Sequence, residues 1–193
     1  MILATRNAHK LRELREILPS VEFEPLPDGI DLPPEDGDTY AANALIKARA
    51  AGAATGSAAF ADDSGIEAAA LGGRPGVHSA RYDGPGASDE GNLAKLLREV
   101  AAAGEDRRVA YRCVIALVDE DGEEHLFEGT CEGTLSEQPR GAGGFGYDPA
   151  FVPDDTGPGD RRTMAELSPE EKNEVSHRAR AARRLGEFLE QRS

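Results

Sequence analysis

Two long runs of alternating residues, Val109–Asp119 and His125–Leu135, constrain this chain more than any other feature. Val109, Tyr111, Cys113, Ile115 and Leu117 recur at every second position before the run becomes continuously apolar. That is the period of a strand, not of a helix. Glu120-Asp121-Gly122-Glu123 between the runs supplies the turn of a hairpin. His125, at the start of the returning strand, reads as a surface histidine.

The rest of the chain supplies helices to cover such a sheet. Leu11, Leu14 and Leu18 share one helical face behind the short apolar run Met1–Ala4. A second helix spans about Thr39 to Ala54, with Asp38 or Thr39 as its cap, and Asn43 and Lys47 fall on one of its faces, where they either line a site or face water. A short strand is expected within 21–26. Ser88-Asp89-Glu90 opens an amphipathic helix carrying Leu93, Leu96, Leu97 and Val100. Ser168-Pro169-Glu170-Glu171 is a helix start with a capping box, and Leu185, Phe188 and Leu189 form the later apolar face. The order predicts an α/β fold, a mixed central sheet flanked by helices, as a single domain over 1–193.

Charge narrows the partners. The formal net charge is −14, a field that repels nucleic acid and anionic membranes. A polyanionic small substrate then needs a local basic pocket and a cation. Cys113 and Cys131 have no metal-ligand spacing, and no apolar run reaches the length of a membrane span. The expectation is a cytoplasmic protein without nucleic-acid or membrane partners.

Five places in the chain carry candidate chemistry. In Ala58-Ala-Phe-Ala-Asp62-Asp63-Ser64-Gly65 an apolar run ends in two carboxylates and a hydroxyl. This suits a strand tip that holds a divalent cation and accepts a proton from water, and equally an acidic turn. Thr5-Arg6-Asn7-Ala8-His9-Lys10 joins strand to helix at a locally basic end, either a phosphate cradle at a helix N-terminus or, since it lacks the glycines of a P-loop, a capped surface helix with solvated charges. Glu35 precedes the second helix and either faces a cleft or complements the helix dipole. Gly141-Ala142-Gly143-Gly144-Phe145-Gly146-Tyr147-Asp148-Pro149 offers close backbone approach and a ring that can stack on a flat base, and equally a glycine-rich surface loop with Phe145 plugging the core. On one straight helix Lys172 and His177 would stand about 140° apart, and Lys172 and Arg178 about 240°. The predicted resolution is a break near 173–176, with Ser176 starting a second helix.

Taken together, these stretches closely resemble the inosine triphosphate pyrophosphatase family, the house-cleaning non-canonical purine nucleotide hydrolases also called Ham1-like. The resemblance rests on Ala4-Thr-Arg-Asn-Ala-His-Lys10, Phe60-Ala-Asp-Asp-Ser-Gly65, Leu71-Gly-Gly-Arg-Pro-Gly76, Ser79-Ala-Arg-Tyr82, Gly143-Gly-Phe-Gly-Tyr-Asp-Pro149, Ala165–Asn173 and Ser176-His-Arg178. It implies two lobes around a nucleotide-binding cleft, and hydrolysis of purine nucleoside triphosphates such as inosine, deoxyinosine and xanthosine triphosphate to the monophosphate and pyrophosphate. It also implies Mg2+ as cofactor and a homodimer, for which the Ser79–Tyr82 loop is a candidate interface. Carried over by position, Glu35 and Asp63 form the metal pair and Asp63 is the proton acceptor. Thr5, Arg6, Asn7, Ala8, His9 and Lys10 hold the triphosphate, and Ser64 contacts substrate. Phe145, Gly146, Tyr147, Asp148, Lys172, His177 and Arg178 bind the nucleotide, mainly at the base. Arg6 and His9 depart from the usual residues of that turn. The competing readings are a Maf-like nucleotide pyrophosphatase of other base preference, which the Ser-His-Arg stretch disfavours, and a nucleotide-binding module without turnover, which Glu35, Asp62 and Asp63 disfavour.

Overall fold

Six strands pair into one sheet in the order β2-β1-β3-β4-β5-β6 in the computed structural model, which describes residues 1–192. In chain order the elements are β1 (Ile2–Leu3), α1 (Ala8–Ile17), β2 (Glu24–Pro25), α2 (Tyr40–Thr55), β3 (Ala59–Ala68), α3 (Asp89–Ala103), β4 (Arg108–Val118), β5 (Glu124–Leu135), β6 (Phe151–Pro153), α4 (Pro169–Val175) and α5 (His177–Glu190). β1 runs parallel to both β2 and β3, whereas β5 and β6 are antiparallel, so the sheet is mixed as the order of elements predicts. Leu3 is in register with Phe60, which aligns the N-terminal turn with the stretch leading to Asp62 and Asp63.

Local chemistry accounts for the helix ends. Asn7 caps α1 through its side-chain oxygen, which accepts from the His9 and Lys10 amides. Thr39 caps α2, and Gly56 ends it at φ 67°, a conformation that a side chain resists. Ser88 caps α3. Ser168 and Glu171 close a reciprocal capping box on α4 with Pro169 in its first turn. The predicted break is present: Ser176 is extended, with φ −68° and ψ 149°, and separates α4 from α5.

The chain forms two compact units. The first comprises Met1–Asp63, Cys113–Gly129 and the segment from Arg178 onward. Its apolar core joins Leu3, Leu14, Phe60, Ile115, Leu117 and Leu185. A second cluster sets Ala44, Ala48 and Ala51 of α2 against Ala4, Ala59 and Ala61. Alanines at that helical spacing form a flat stripe, which lets the α2 backbone come close to β1 and β3.

The second unit comprises Ser64–Arg112 and Thr130–His177. Leu93, Leu96 and Val100 of α3 pack on Ile66, Tyr111, Leu135, Phe151 and Met164, and Leu97 lies at the margin. Each fully buried aliphatic side chain of this kind contributes about 1.5–3 kcal/mol. Among the described residues no helix is long and apolar enough to cross a membrane.

Candidate active site

The stretch expected to end a strand lies inside one. β3 continues to Ala68, so Asp62 and Asp63 are strand residues, and both are buried, at 1% and 5% exposure. The acidic-turn reading therefore does not describe this segment. Neighbouring strand residues point to opposite faces. The two carboxylates accordingly enter two different clusters of the first unit.

Asp63 meets α2. The Asn43 amide donates to Asp63 Oδ2 at 3.0 Å, and Asn43 Oδ1 accepts from the Gly37 amide at 2.8 Å. Lys47, one turn further along the same helix, donates to Glu35 and to the Asp62 carbonyl at 2.7 Å, and lies 3.9 Å from Asp63 Oδ1. Glu35 and Asp63 thus converge on one ammonium. Burial raises the Asp63 carboxyl above its ordinary range; Lys47 opposes this and Glu35 adds to it. Burial works against the Lys47 charge, but Asp62, Glu35 and Asp63 outweigh it and raise the ammonium pKa.

Asp62 faces the N-terminal turn. Its Oδ2 lies 3.0 Å from Lys10 Nζ and accepts from Arg178 Nε at 3.2 Å. Arg178 Nη1 also donates to Glu13 Oε2 at 2.6 Å, closing a buried set of alternating charges. Burial pushes the Asp62 carboxyl up, yet Lys10, Arg178 and Lys47 hold it well below the usual carboxylate range. Burial likewise opposes the Arg178 charge, and Asp62 and Glu13 overcome it.

The rest of that turn is engaged in its own architecture. Thr5 Oγ1 accepts from the Asn7 amide at 3.2 Å. Asn7 caps α1, so two of the helix N–H groups expected to face an anion already have a partner. Ala8 opens the helix, and His9 Nδ1 lies 3.1 Å from Arg12 Nη2. Arg6, a possible extra phosphate contact, donates instead to the carbonyls of Leu26, Pro27 and Ile30 at 2.7–2.8 Å and ties down the following loop.

In the second unit the glycine-rich loop folds around Asp148. Asp148 Oδ2 accepts from Lys172 Nζ at 2.6 Å and from the Phe145 amide at 3.0 Å, and Oδ1 accepts from the Tyr111 hydroxyl at 3.0 Å. Asp148 is 4% exposed, so its three donors come from the protein itself. Lys172 Nζ lies 5.1 Å from the Phe145 ring centroid. The Gly146 amide donates to Asp89 Oδ2 at 2.8 Å, and the Tyr147 hydroxyl to the Ser79 carbonyl at 2.7 Å. Gly144, at φ 70°, passes so close that an added Cβ would lie 2.2 Å from Asp148 Oδ2. Only glycine satisfies both conditions there. His177 stacks on Tyr111, with centroids 4.5 Å apart at 14°. Ser64 follows Asp63 on β3 and is half-buried.

The structure thus brings Lys10, Glu35, Asp63 and Arg178 into the first unit's charged clusters, and Phe145, Asp148, Lys172 and His177 into one cluster of the second. Arg178 has a different environment from Lys172 and His177, as the break at Ser176 allows: it is bound to Glu13 and Asp62. Sequence reasoning assigned no role to Glu13 or Tyr111, and left Asn43 and Lys47 between lining the site and facing water; the structure sets them against Asp63 and Glu35. For the last two, a polar pair four residues apart on an alanine-rich helix was the available signal.

Glu35 and Asp63 fit a hard divalent cation. Both offer carboxylate oxygen and both already lie against one positive charge, Lys47. A second group of metal-capable side chains, Asp119, Glu123 and His125, gathers within 4.8 Å at the β4–β5 turn. There Arg192 pairs with Asp119 at 3.3 Å and Glu123 at 3.9 Å, so the protein's own cation balances those carboxylates.

A profile of the Ham1 family matches residues 1–188. The dITP/XTP pyrophosphatase of Symbiobacterium thermophilum is 52% identical over 98% of this chain and 94% of its own length. That of Geobacter sulfurreducens is 48% identical over 98% and 96%. A HAM1 protein structure from Coxiella burnetii superposes with a TM-score of 0.88 at 41% identity, covering 98% of each chain.

Proposed function

The chain belongs to the Ham1 family, and we propose that it hydrolyses non-canonical purine nucleoside triphosphates (inosine, deoxyinosine and xanthosine triphosphate) to the monophosphate and pyrophosphate, clearing them from the nucleotide pool. Relatives named dITP/XTP pyrophosphatase support the substrate class. The observation that carries the reading is Asp63, buried, held by Asn43 and facing Lys47 together with Glu35.

In this reading Glu35 and Asp63 hold Mg2+. When bound, such a cation neutralises phosphate charge and polarises the phosphorus under attack. Asn43 fixes the Asp63 carboxylate, which places it to take a proton from the attacking water. The new P–O bond forms to that water as the bond to pyrophosphate breaks. Lys10 brings positive charge to the triphosphate in a chain of net charge −14. Thr5, Ala8, His9 and Lys10 contact the phosphates, Arg6 and Asn7 brace the turn that carries them, and Ser64 touches the substrate beside Asp63. Arg178, through Asp62, keeps Lys10 in place.

For the second unit the proposal is that the Phe145 ring stacks on the base, with Gly146 and Tyr147 shaping the loop beside it. Lys172 and His177 present donors to the 6-oxo acceptor of hypoxanthine or xanthine. Adenine carries an amino donor there and would leave those groups unpaired, a heavy penalty in a buried site. The proposal extends to a cytoplasmic homodimer, in keeping with the resemblance and with two buried free thiols, Cys113 and Cys131.

The deciding experiment is pyrophosphate release from a panel of nucleoside triphosphates with and without Mg2+. Fast, Mg2+-dependent release from inosine and xanthosine triphosphate, but not adenosine triphosphate, is expected. No turnover with any nucleotide would leave a binding module and overturn the proposal. Size-exclusion chromatography with light scattering tests the dimer.

A further inference from the structure

We infer that Tyr111 is a positioning residue for base recognition, acting through Asp148 and His177; the inference rests on the activity proposed above. Tyr111 lies on β4 and is 6% exposed, and its place in the strand alternation marks it only as core. Its contacts go further. One face of its ring stacks on His177 at 4.5 Å and 14°, and its ring also stacks on Phe151 at 4.3 Å and 26°. Its hydroxyl donates to Asp148 Oδ1 at 3.0 Å. Asp148 in turn holds Lys172 and the Phe145 amide on its other oxygen. A single side chain therefore touches His177 directly and reaches Lys172 and Phe145 through one carboxylate.

The chemistry explains why a phenol serves here. A buried carboxylate needs donors for both oxygens, and a charge-assisted hydrogen bond fixes its plane. With Oδ1 held by the phenol, Oδ2 is directed at Lys172, whose ammonium is then locked against the Phe145 ring. The flat ring sets the tilt of the imidazole by stacking. Phenylalanine would keep both stacks and release the carboxylate. Lys172, less firmly held, could then turn away from an adenine amino group to another acceptor, so adenine would meet a smaller penalty.

The test is Tyr111→Phe in the full chain, with steady-state kinetics on inosine and adenosine triphosphate. The expected result is KM for inosine triphosphate up about three- to tenfold, kcat within about twofold, and the ratio of kcat/KM between the two substrates reduced by a similar factor. Lost folding alone would scale both substrates together and leave that ratio unchanged. Asp148→Asn with and without Tyr111→Phe closes a double-mutant cycle. On the Asp148→Asn background the tyrosine change should shift the ratio by less than about twofold. An active Tyr111→Phe enzyme with an unaltered ratio, or full additivity in the cycle, overturns the inference while leaving the activity standing. A wild-type chain inactive on the whole panel overturns the activity, and the inference with it. If Tyr111→Phe fails to fold, a wild-type ratio in Tyr111→His, which keeps a flat ring but cannot reach Asp148 in the same way, overturns it equally, and a reduced ratio with raised KM supports it.

Discussion

Asp62→Asn removes one charge from the buried set of Lys10, Asp62, Arg178 and Glu13 without changing side-chain size. Asp62 is 1% and Arg178 3% exposed, so water cannot take the place of the lost charge. The single oxygen Oδ2 serves both cations, at 3.0 Å and 3.2 Å. Breaking a buried pair by removing one partner costs about 3–5 kcal/mol. Arg178 retains Glu13 at 2.6 Å, and an asparagine oxygen still accepts a hydrogen bond, so about 3 kcal/mol is the working value. For a chain of this size each kcal/mol shifts Tm by roughly 2–4 °C, giving a fall of roughly 6–12 °C. Calorimetric melts at pH 7 read this directly. The fall should persist at 0.5 M salt, because a buried pair is poorly screened. Arg49→Gln is the control: its pair with Glu124 is exposed, and its loss costs at most about 1 kcal/mol and less in salt. A fall of less than about 2 °C in Asp62→Asn, or one matched by the Arg49 variant, would refute the reasoning.

Three further outcomes follow from the geometry. Asp63→Asn should lower kcat by about 10²–10⁴-fold with Tm within about 2 °C of wild type, since burial already disfavours that charge; substantial residual turnover in stopped assays would remove Asp63 from the role of base. Gly144→Ala places a methyl group against Asp148 at a positive φ, so a loss of about 2 kcal/mol and a raised KM are expected, read by thermal melts and kinetics; an unchanged KM would detach this loop from the base. The Cys113 thiol is pushed up to about 12 by burial and then by Asp62, so native protein should resist iodoacetamide through pH 9. Because its folded pKa is raised, Cys113 leaves stability intact below the ordinary thiol pKa. It then erodes stability as pH rises towards 12, which melts between pH 8 and 11 would register against a Cys113→Ser variant.

Much of the site was legible because its signals are local. Glu35 and Asp63 were each ambiguous by themselves and were singled out only by the resemblance of the whole set of motifs, whereas the break at Ser176 followed from the impossibility of aiming Lys172, His177 and Arg178 alike on one helix. The fate of Asp62 was not legible. Its composition allowed a turn, and only the continuation of β3 to Ala68 turned two adjacent carboxylates towards opposite faces. Arg6 and Asn7 show the reverse: both looked available to an anion, and both are occupied by nearby backbone.

The sequence by itself determined the secondary structure and the family, because caps, strand alternation and helix faces depend on residues within a few positions of one another. Ser88, Ser168 with Glu171, and the hairpin runs each specify their element wherever the chain goes next. Tertiary structure decided the partners. Arg178 reaches Asp62 across 116 positions and Glu13 across 165, and Tyr111 reaches Asp148 across 37. No local propensity encodes such pairs. They arise when strand order and helix packing bring distant charges into one buried space, where each must find an opposite charge or a donor.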